Sequence, residues 1–518
     1  MAQITGTALL DQLTADLGVT TLSTLVKQVL AVRLDQMQAA NVYSDTQIAV
    51  VLGATPLIRQ ATPEGQVPLT YLTSAVATAK QEISQDPGSN PLSGLAEAQS
   101  NSIPGYSATA SFSTPYVNTL DSGAAWAQAI VSYSFNTSIP AEYWSDPALT
   151  DGWRSLDSSE KYIVRSIMAS IDPLIGLDFQ EVPGNGDIRF NVVDMDPDVA
   201  AFALYPGNAP EAGDVFLGFN DPTTAYGPGD YGYSTIVHEL GHALGLKHPF
   251  EDGATLPASL DNTAFSLMSY TDYRTSEFHA TWNAMSNRVS YLVESTANAT
   301  NFSLLDVQTL HAIYGPESSA HTGNDTYTMA EGGYLTLWDA GGVDTLDFSN
   351  AQGDCRIELE SGNLSTVNQQ PVEDIIAKVM ADLVSQGASD AGFRNWISQE
   401  VTANYSDLYN GENSLGITQG AIIENVFTGS GSDTLWDNSV DNLIRAGAGD
   451  DIIYLGAGGF DHIDGGTGYD KIIFGFQSTD TQRQTQADGS VLLVGSHLAV
   501  QMDGIEALQF TDGLITLA

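Results

Sequence analysis

Apolar residues recur at helical spacing in LLDQLTADL, LSTLVKQVLAVRLDQM and VPLTYLTSAVATAKQEI. These stretches predict a mostly helical segment over residues 1–112, closed by the loop-like SQDPGSNPLSG. The pattern then changes. AIVSYSF (129–135), DFQEV (178–182), DIRFNVV (187–193), AFALYPG (201–207) and GDVFLGF (213–219) read as strands. In DIRFNVV, Ile188, Phe190 and Val192 alternate with polar residues, which predicts one buried face and one polar face. Between the first two strands, SSEKYIVRSIMASI carries apolar residues at 163, 164, 167, 168 and 171, a helical stripe that Ser158 or Ser159 could cap. A second helix is expected around VHELGHALGLKHP, so residues 113–315 read as a layered α/β domain. From 316 to 518 glycine and aspartate dominate in a nine-residue rhythm, broken only by a helical insertion at about 369–409.

The charge narrows the partners. Against 17 Lys+Arg stand 63 Asp+Glu, a net charge of −46. Nucleic acid and anionic membranes both need clustered cations, so neither is an expected partner. The surplus fits carboxylates that bind calcium, or solubility in salt. A single cysteine, Cys355, excludes a disulfide within the chain. That fits a reducing compartment, and equally a protein exported without a disulfide-forming step. MAQITGTALLDQLTADLGV does not read as a secretory signal: no positive charge precedes Lys27, and Asp11 interrupts the apolar run. No apolar stretch approaches the roughly 18 residues of a membrane span.

His238 and His242 lie four residues apart and share one face of a helix. Gly245 permits a sharp turn, beyond which His248 can fold back as a third ligand. Three imidazoles leave a fourth zinc position for water, the arrangement of catalytic zinc. Glu239 can then accept the proton of that acidified water as it attacks a carbonyl. Further on, TGSGSDTLW, AGAGDDIIY, GAGGFDHID and GGTGYDKII place Asp433, Asp451, Asp461 and Asp470 at one position of the rhythm. Leu435, Ile453, Ile463 and Ile472 follow two residues later, and Asn442 keeps the phase. Flexible linkers do not hold such a register. Stacked turns would face their aspartates across gaps that several structural calcium ions fill. Asp325 and Asp344 belong to two upstream matches, GNDTY and WDAGGVDTLDFS.

The full H-E-x-x-H-x-x-G-x-x-H pattern resembles the metzincin metalloproteases. GDYGYSTIVHELGHALGLKHP, SLMSY and LLDVQTLHAIYG resemble the serralysin branch, and the glycine–aspartate repeats resemble RTX parallel β-rolls. The resemblance implies a metzincin-like α/β catalytic domain followed by an all-β calcium-binding roll. It implies His238, His242 and His248 on one catalytic zinc, Met268 in a methionine turn beneath them, and Tyr270 stabilising the oxyanion. AFALYPG would be the edge strand to which an extended substrate adds. The implied protein is a secreted, monomeric endopeptidase, exported by type I machinery without membrane insertion. Three features depart from the family: the C-terminal GLITLA, the 369–409 insertion and the long N-terminal segment. A rival reading is a calcium-binding surface or matrix protein whose zinc site is vestigial.

Overall fold

The structure, a computed structural model, describes residues 107–108 and 116–517, apart from 197–198, 220–224, 252, 330–332, 389, 487–488 and 496–497. The helices expected before residue 100 lie outside the described residues. One compact unit comprises Ser100–Ile423 and Thr428–Ser432; described residues of the other come from Glu424–Phe427 and Asp433–Ala518.

Five strands form the main sheet of the first unit: β1 (Ile130–Phe135), β2 (Asp178–Glu181), β3 (Ile188–Val192), β4 (Ala201–Ala203) and β5 (Val215–Leu217). Their spatial order is β2-β1-β3-β5-β4. All neighbours are parallel except β5 and β4, which run antiparallel and leave β4 at the edge. Parallel β1 and β2 need a crossover, and helix α1 (Ser158–Ile171) lies within it, burying Val164, Ile167, Met168 and Ile171. Its cap is Asp157 rather than Ser158 or Ser159. The Asp157 carboxylate accepts from the Ser159 and Glu160 N–H groups, and Glu160 reaches back to the Asp157 N–H, closing a capping box.

The expected polar face of β3 is corrected by the structure: every residue of the strand is buried. Arg189 is ion-paired with Asp214 at 2.7 Å and Glu142 at 2.6 Å, and Asn191 accepts from the side chains of Asn136 and Trp153. Burying a guanidinium is tolerable because carboxylates satisfy its charge and hydrogen bonds together.

Helix α2 (Tyr231–Ala243) carries His238 and His242, and α3 (Leu304–Tyr314) follows the hairpin β6 (Ser276–Asn283) and β7 (Arg288–Ser295). The helical insertion is two helices, α4 (Val372–Ser385) and α5 (Asp390–Asn404). Ile375, Ile376, Val379, Met380, Leu383, Ile397 and Val401 pack with Phe278 of the hairpin in a small core of their own. An amphipathic helix alone is marginal in water, so this shared core is what stabilises both elements. In the same unit Thr326–Tyr327 pairs in parallel with Thr345–Asp347, and Leu335–Leu337 with Leu415–Ile417.

The second unit is rich in short parallel strands and is roll-like. Asn425–Phe427, Leu443–Arg445, Phe460–Asp464 and Ala499–Asp503 form one ladder; Thr434–Trp436, Ile452–Leu455, Lys471–Phe474 and Ala507–Phe510 form another. Val426, Ile444, Ile463 and Met502 stack inward from the first, and Leu435, Ile453, Ile472 and Leu508 from the second, all essentially inaccessible. Each fully buried aliphatic side chain contributes roughly 1.5–3 kcal/mol. Gly466 and Gly468 have φ of +91° and +144°, and a Cβ on either would collide with the carbonyl of Gly447 or Gly449 one coil earlier. Only glycine lets these turns stack.

Candidate metal centres

The Nε2 atoms of His238 and His242 lie 3.2 and 3.1 Å from Nε2 of His248. Helix α2 aligns the first two rings through their four-residue spacing. The third is brought back by Gly245, whose φ of +98° no other residue adopts without strain. Ala124 presses on this turn: a Cβ at Gly245 would lie 2.1 Å from its carbonyl oxygen. The Gly245 carbonyl accepts from Ser122 N–H, Lys247 N–H donates to Leu120, and the Trp126 indole donates to Ala243.

Each ring has its Nδ1 occupied. His238 donates to the Leu267 carbonyl and His242 to the Leu246 carbonyl, both at 2.8 Å, while His248 donates to the Glu251 carboxylate at 2.5 Å. With Nδ1 protonated, the three Nε2 lone pairs converge, and convergent imidazole nitrogens are a donor set suited to zinc. Burial holds His238 down at about 3 and His242 at about 4, so both imidazoles are neutral at pH 7.

Glu239 is buried beside them, and its Oε2 has no hydrogen-bond partner. Burial pushes its carboxyl up to about 8, against the Ala203 N–H, which favours the charged form. Met268 is wholly buried, and a Cβ at Gly241 of α2 would meet its sulfur at 2.5 Å, so helix and methionine turn are in intimate contact. Tyr270 is 70% exposed, with its ring 4.6 Å from that of His248 and 5.8 Å from that of His238.

Around the histidines, two carboxylates were not legible in the sequence. Asp306 of α3 is fully buried and accepts from Ser266 Oγ and Leu267 N–H at 2.6 and 2.7 Å. It thereby anchors the residue whose carbonyl orients His238. Glu251 lies three residues after His248, a spacing visible in the sequence, but acidic residues are too frequent here for it to have stood out.

The aspartates separate into columns. Asp433 N–H donates to Asp451, Asp451 N–H to Asp470 and Asp470 N–H to Glu506, at 2.7–3.0 Å. Asp461 belongs to another column and accepts from Asn442 N–H. Successive nine-residue repeats thus alternate between ladders, and residues 18 or 19 apart stack. Burial, with Asp451 and Glu506 nearby, raises Asp470 to about 6, and its second oxygen is buried with no hydrogen-bond partner. Asp344 is not with them: it gathers with Asp325 and Asp339, their carboxylate oxygens all within 4.8 Å. Asp339 was not legible as a partner. Hard oxygen ligands of this kind fit calcium.

Residues 303–381 match the family model described as Peptidase M10 serralysin C terminal. The chain is a relative of the serralysin-type metalloproteases. It is 29% identical over 258 residues to Serralysin G of Dickeya chrysanthemi, covering 47% of this chain and 44% of that protein. With Serralysin C of the same organism it shares 33% over 181 residues, 32% and 37% of the two chains. With Metalloprotease AprA of Pseudomonas entomophila (strain L48) it shares 26% over 362 residues, 63% and 64%. The match thus spans less than two thirds of each of these serralysin relatives. Among the described residues, no helix is long and apolar enough to cross a membrane.

Proposed function

We propose that the chain is a secreted zinc-dependent endopeptidase that hydrolyses peptide bonds of extracellular proteins. The observation that carries the proposal is the convergence of three imidazole Nε2 atoms beside a buried, raised carboxyl. His238, His242 and His248 would hold the zinc. Bound there, the ion supplies a Lewis acid that polarises a carbonyl and acidifies water. Glu239 acts as general base, taking a proton from the attacking water and returning it to the leaving amine. Its burial raises the affinity of the carboxylate for that proton. The Tyr270 hydroxyl, on an exposed ring over the imidazoles, donates to the developing oxyanion. Strand β4, at the edge of the sheet, would offer backbone groups to an extended peptide, which suits protein substrates of varied sequence.

In this reading residues 113–315 are the metzincin-like catalytic domain. Residues 316–518 are a calcium-binding RTX roll that also serves type I export, and Asp344, Asp433, Asp451, Asp461 and Asp470 are its ligands. A vestigial or structural zinc site has no use for a buried carboxyl beside its ligands, which favours the enzyme over the matrix protein.

The test is casein hydrolysis by the full chain in calcium, beside Glu239→Gln. The variant is expected to lose roughly 10²–10⁴-fold in rate while keeping its zinc. Equal rates in the two proteins would remove Glu239 from the chemistry. A zinc-loaded parent that leaves casein and unfolded peptides intact would overturn the peptidase reading.

A further inference from the structure

Among the three candidate ligands, His248 stands apart in how it is held. His238 and His242 lie on α2, whose backbone fixes their direction, and each Nδ1 donates to a neutral carbonyl. His248 lies beyond the helix and donates to a carboxylate. Glu251 N–H donates to the His248 carbonyl at 3.3 Å, a reverse turn with Pro249 at its second position that sets residues three apart close together. The ring is also stacked on Phe250, with centroids 5.1 Å apart and planes within 5°.

We infer that Glu251 is the positioning residue of the third ligand, holding His248 in the Nδ1–H form with Nε2 turned to the shared centre. A charged acceptor does more than a carbonyl. It stabilises the Nδ1–H tautomer more strongly, and it pushes electron density into the ring, so Nε2 becomes a stronger electron-pair donor to a metal. This compensates for its place on a turn, where rotamer freedom is greater than on a helix. Tyr205 extends the arrangement: its hydroxyl is 3.5 Å from the second Glu251 oxygen, and its ring meets His242 edge-on at 5.5 Å. The inference rests on the zinc reading of the cradle.

The experiment measures zinc affinity of the full chain in calcium by competition with a chromogenic chelator, for the parent, Glu251→Gln and Glu251→Asp. Gln keeps the size and an acceptor oxygen but loses the charge. It is expected to bind zinc about 10–100-fold more weakly. Asp keeps the charge and should recover most of that loss. A metal-free readout accompanies this: nitrogen NMR of the His248 ring, expected as a single Nδ1–H tautomer in the parent and a mixture in Gln. Zinc affinity in Gln within twofold of the parent, with an unchanged tautomer, overturns the role of Glu251 alone. A folded parent that binds no zinc overturns the zinc reading itself, and the inference with it.

Discussion

The histidine cradle and the aspartate columns both gather candidate metal ligands, and they do so with opposite electrostatics. The cradle is built from imidazoles, of which burial keeps His238 and His242 neutral at pH 7, so its geometry costs little repulsion and is set locally by a helix, one glycine turn and three outer acceptors. The columns stack carboxylates one coil apart, where each ionised group raises the energy of the next. On the proposed function, the first would be a preorganised site and the second a site whose assembly is coupled to its cation.

The largest expected effect separates the two by chelation. Removing calcium at pH 7 should destabilise the aspartate columns by about 2.7 kcal/mol for each site held a hundredfold above its Kd. Circular dichroism melting with and without a calcium chelator reads this directly. An unchanged melt would mean that the columns need no cation and the contrast is false. Next, Gly245→Ala should cost roughly 1–3 kcal/mol through its positive φ, with the Ala124 clash in addition. It should also weaken zinc binding by moving His248, while the calcium dependence of the melt stays as in the parent. Full zinc affinity in this variant would show that the turn does not set the cradle.

The smallest effect has opposite signs in the two regions. His238 and His242 are depressed in the folded protein, so without metal their joint contribution is present above pH 6.5 and is lost as pH falls towards 4, outweighing the single opposing contribution of Glu239, which is raised to about 8. Asp470 is raised, so its contribution is full below pH 4 and is lost as pH rises through about 6. Hydrogen exchange of metal-free protein between pH 4 and 6.5, corrected for intrinsic rates, should show protection rising with pH in segment 231–251. It should fall with pH in segment 443–474. Slopes of one sign in both would break the comparison.

Much of this was legible because it is local. The 3.6-residue period of α1 and the four-residue histidine spacing need only the geometry of one helix. The inward Leu435, Ile453, Ile463 and Ile472 need only the period of the coil. The hairpin β6–β7 also has a local signal, the alternation of Phe278, Ala280 and Trp282 against Val289, Tyr291 and Val293. Its packing against α4 and α5 was not available from either segment alone, because each leaves an apolar face whose partner lies about 100 residues away.

The chain's own order of residues determined which groups could meet a metal: three imidazoles at helical and turn spacing, and aspartates repeating with glycine. Tertiary structure decided what those groups became. It buried Arg189 against Asp214, drew Asp339 to Asp344, tied Asp306 to the methionine turn and sorted Asp433 and Asp461 into different columns. Spacing along a chain fixes direction only within one element. Burial, charge and partnership depend on which distant surfaces exclude water from the same place.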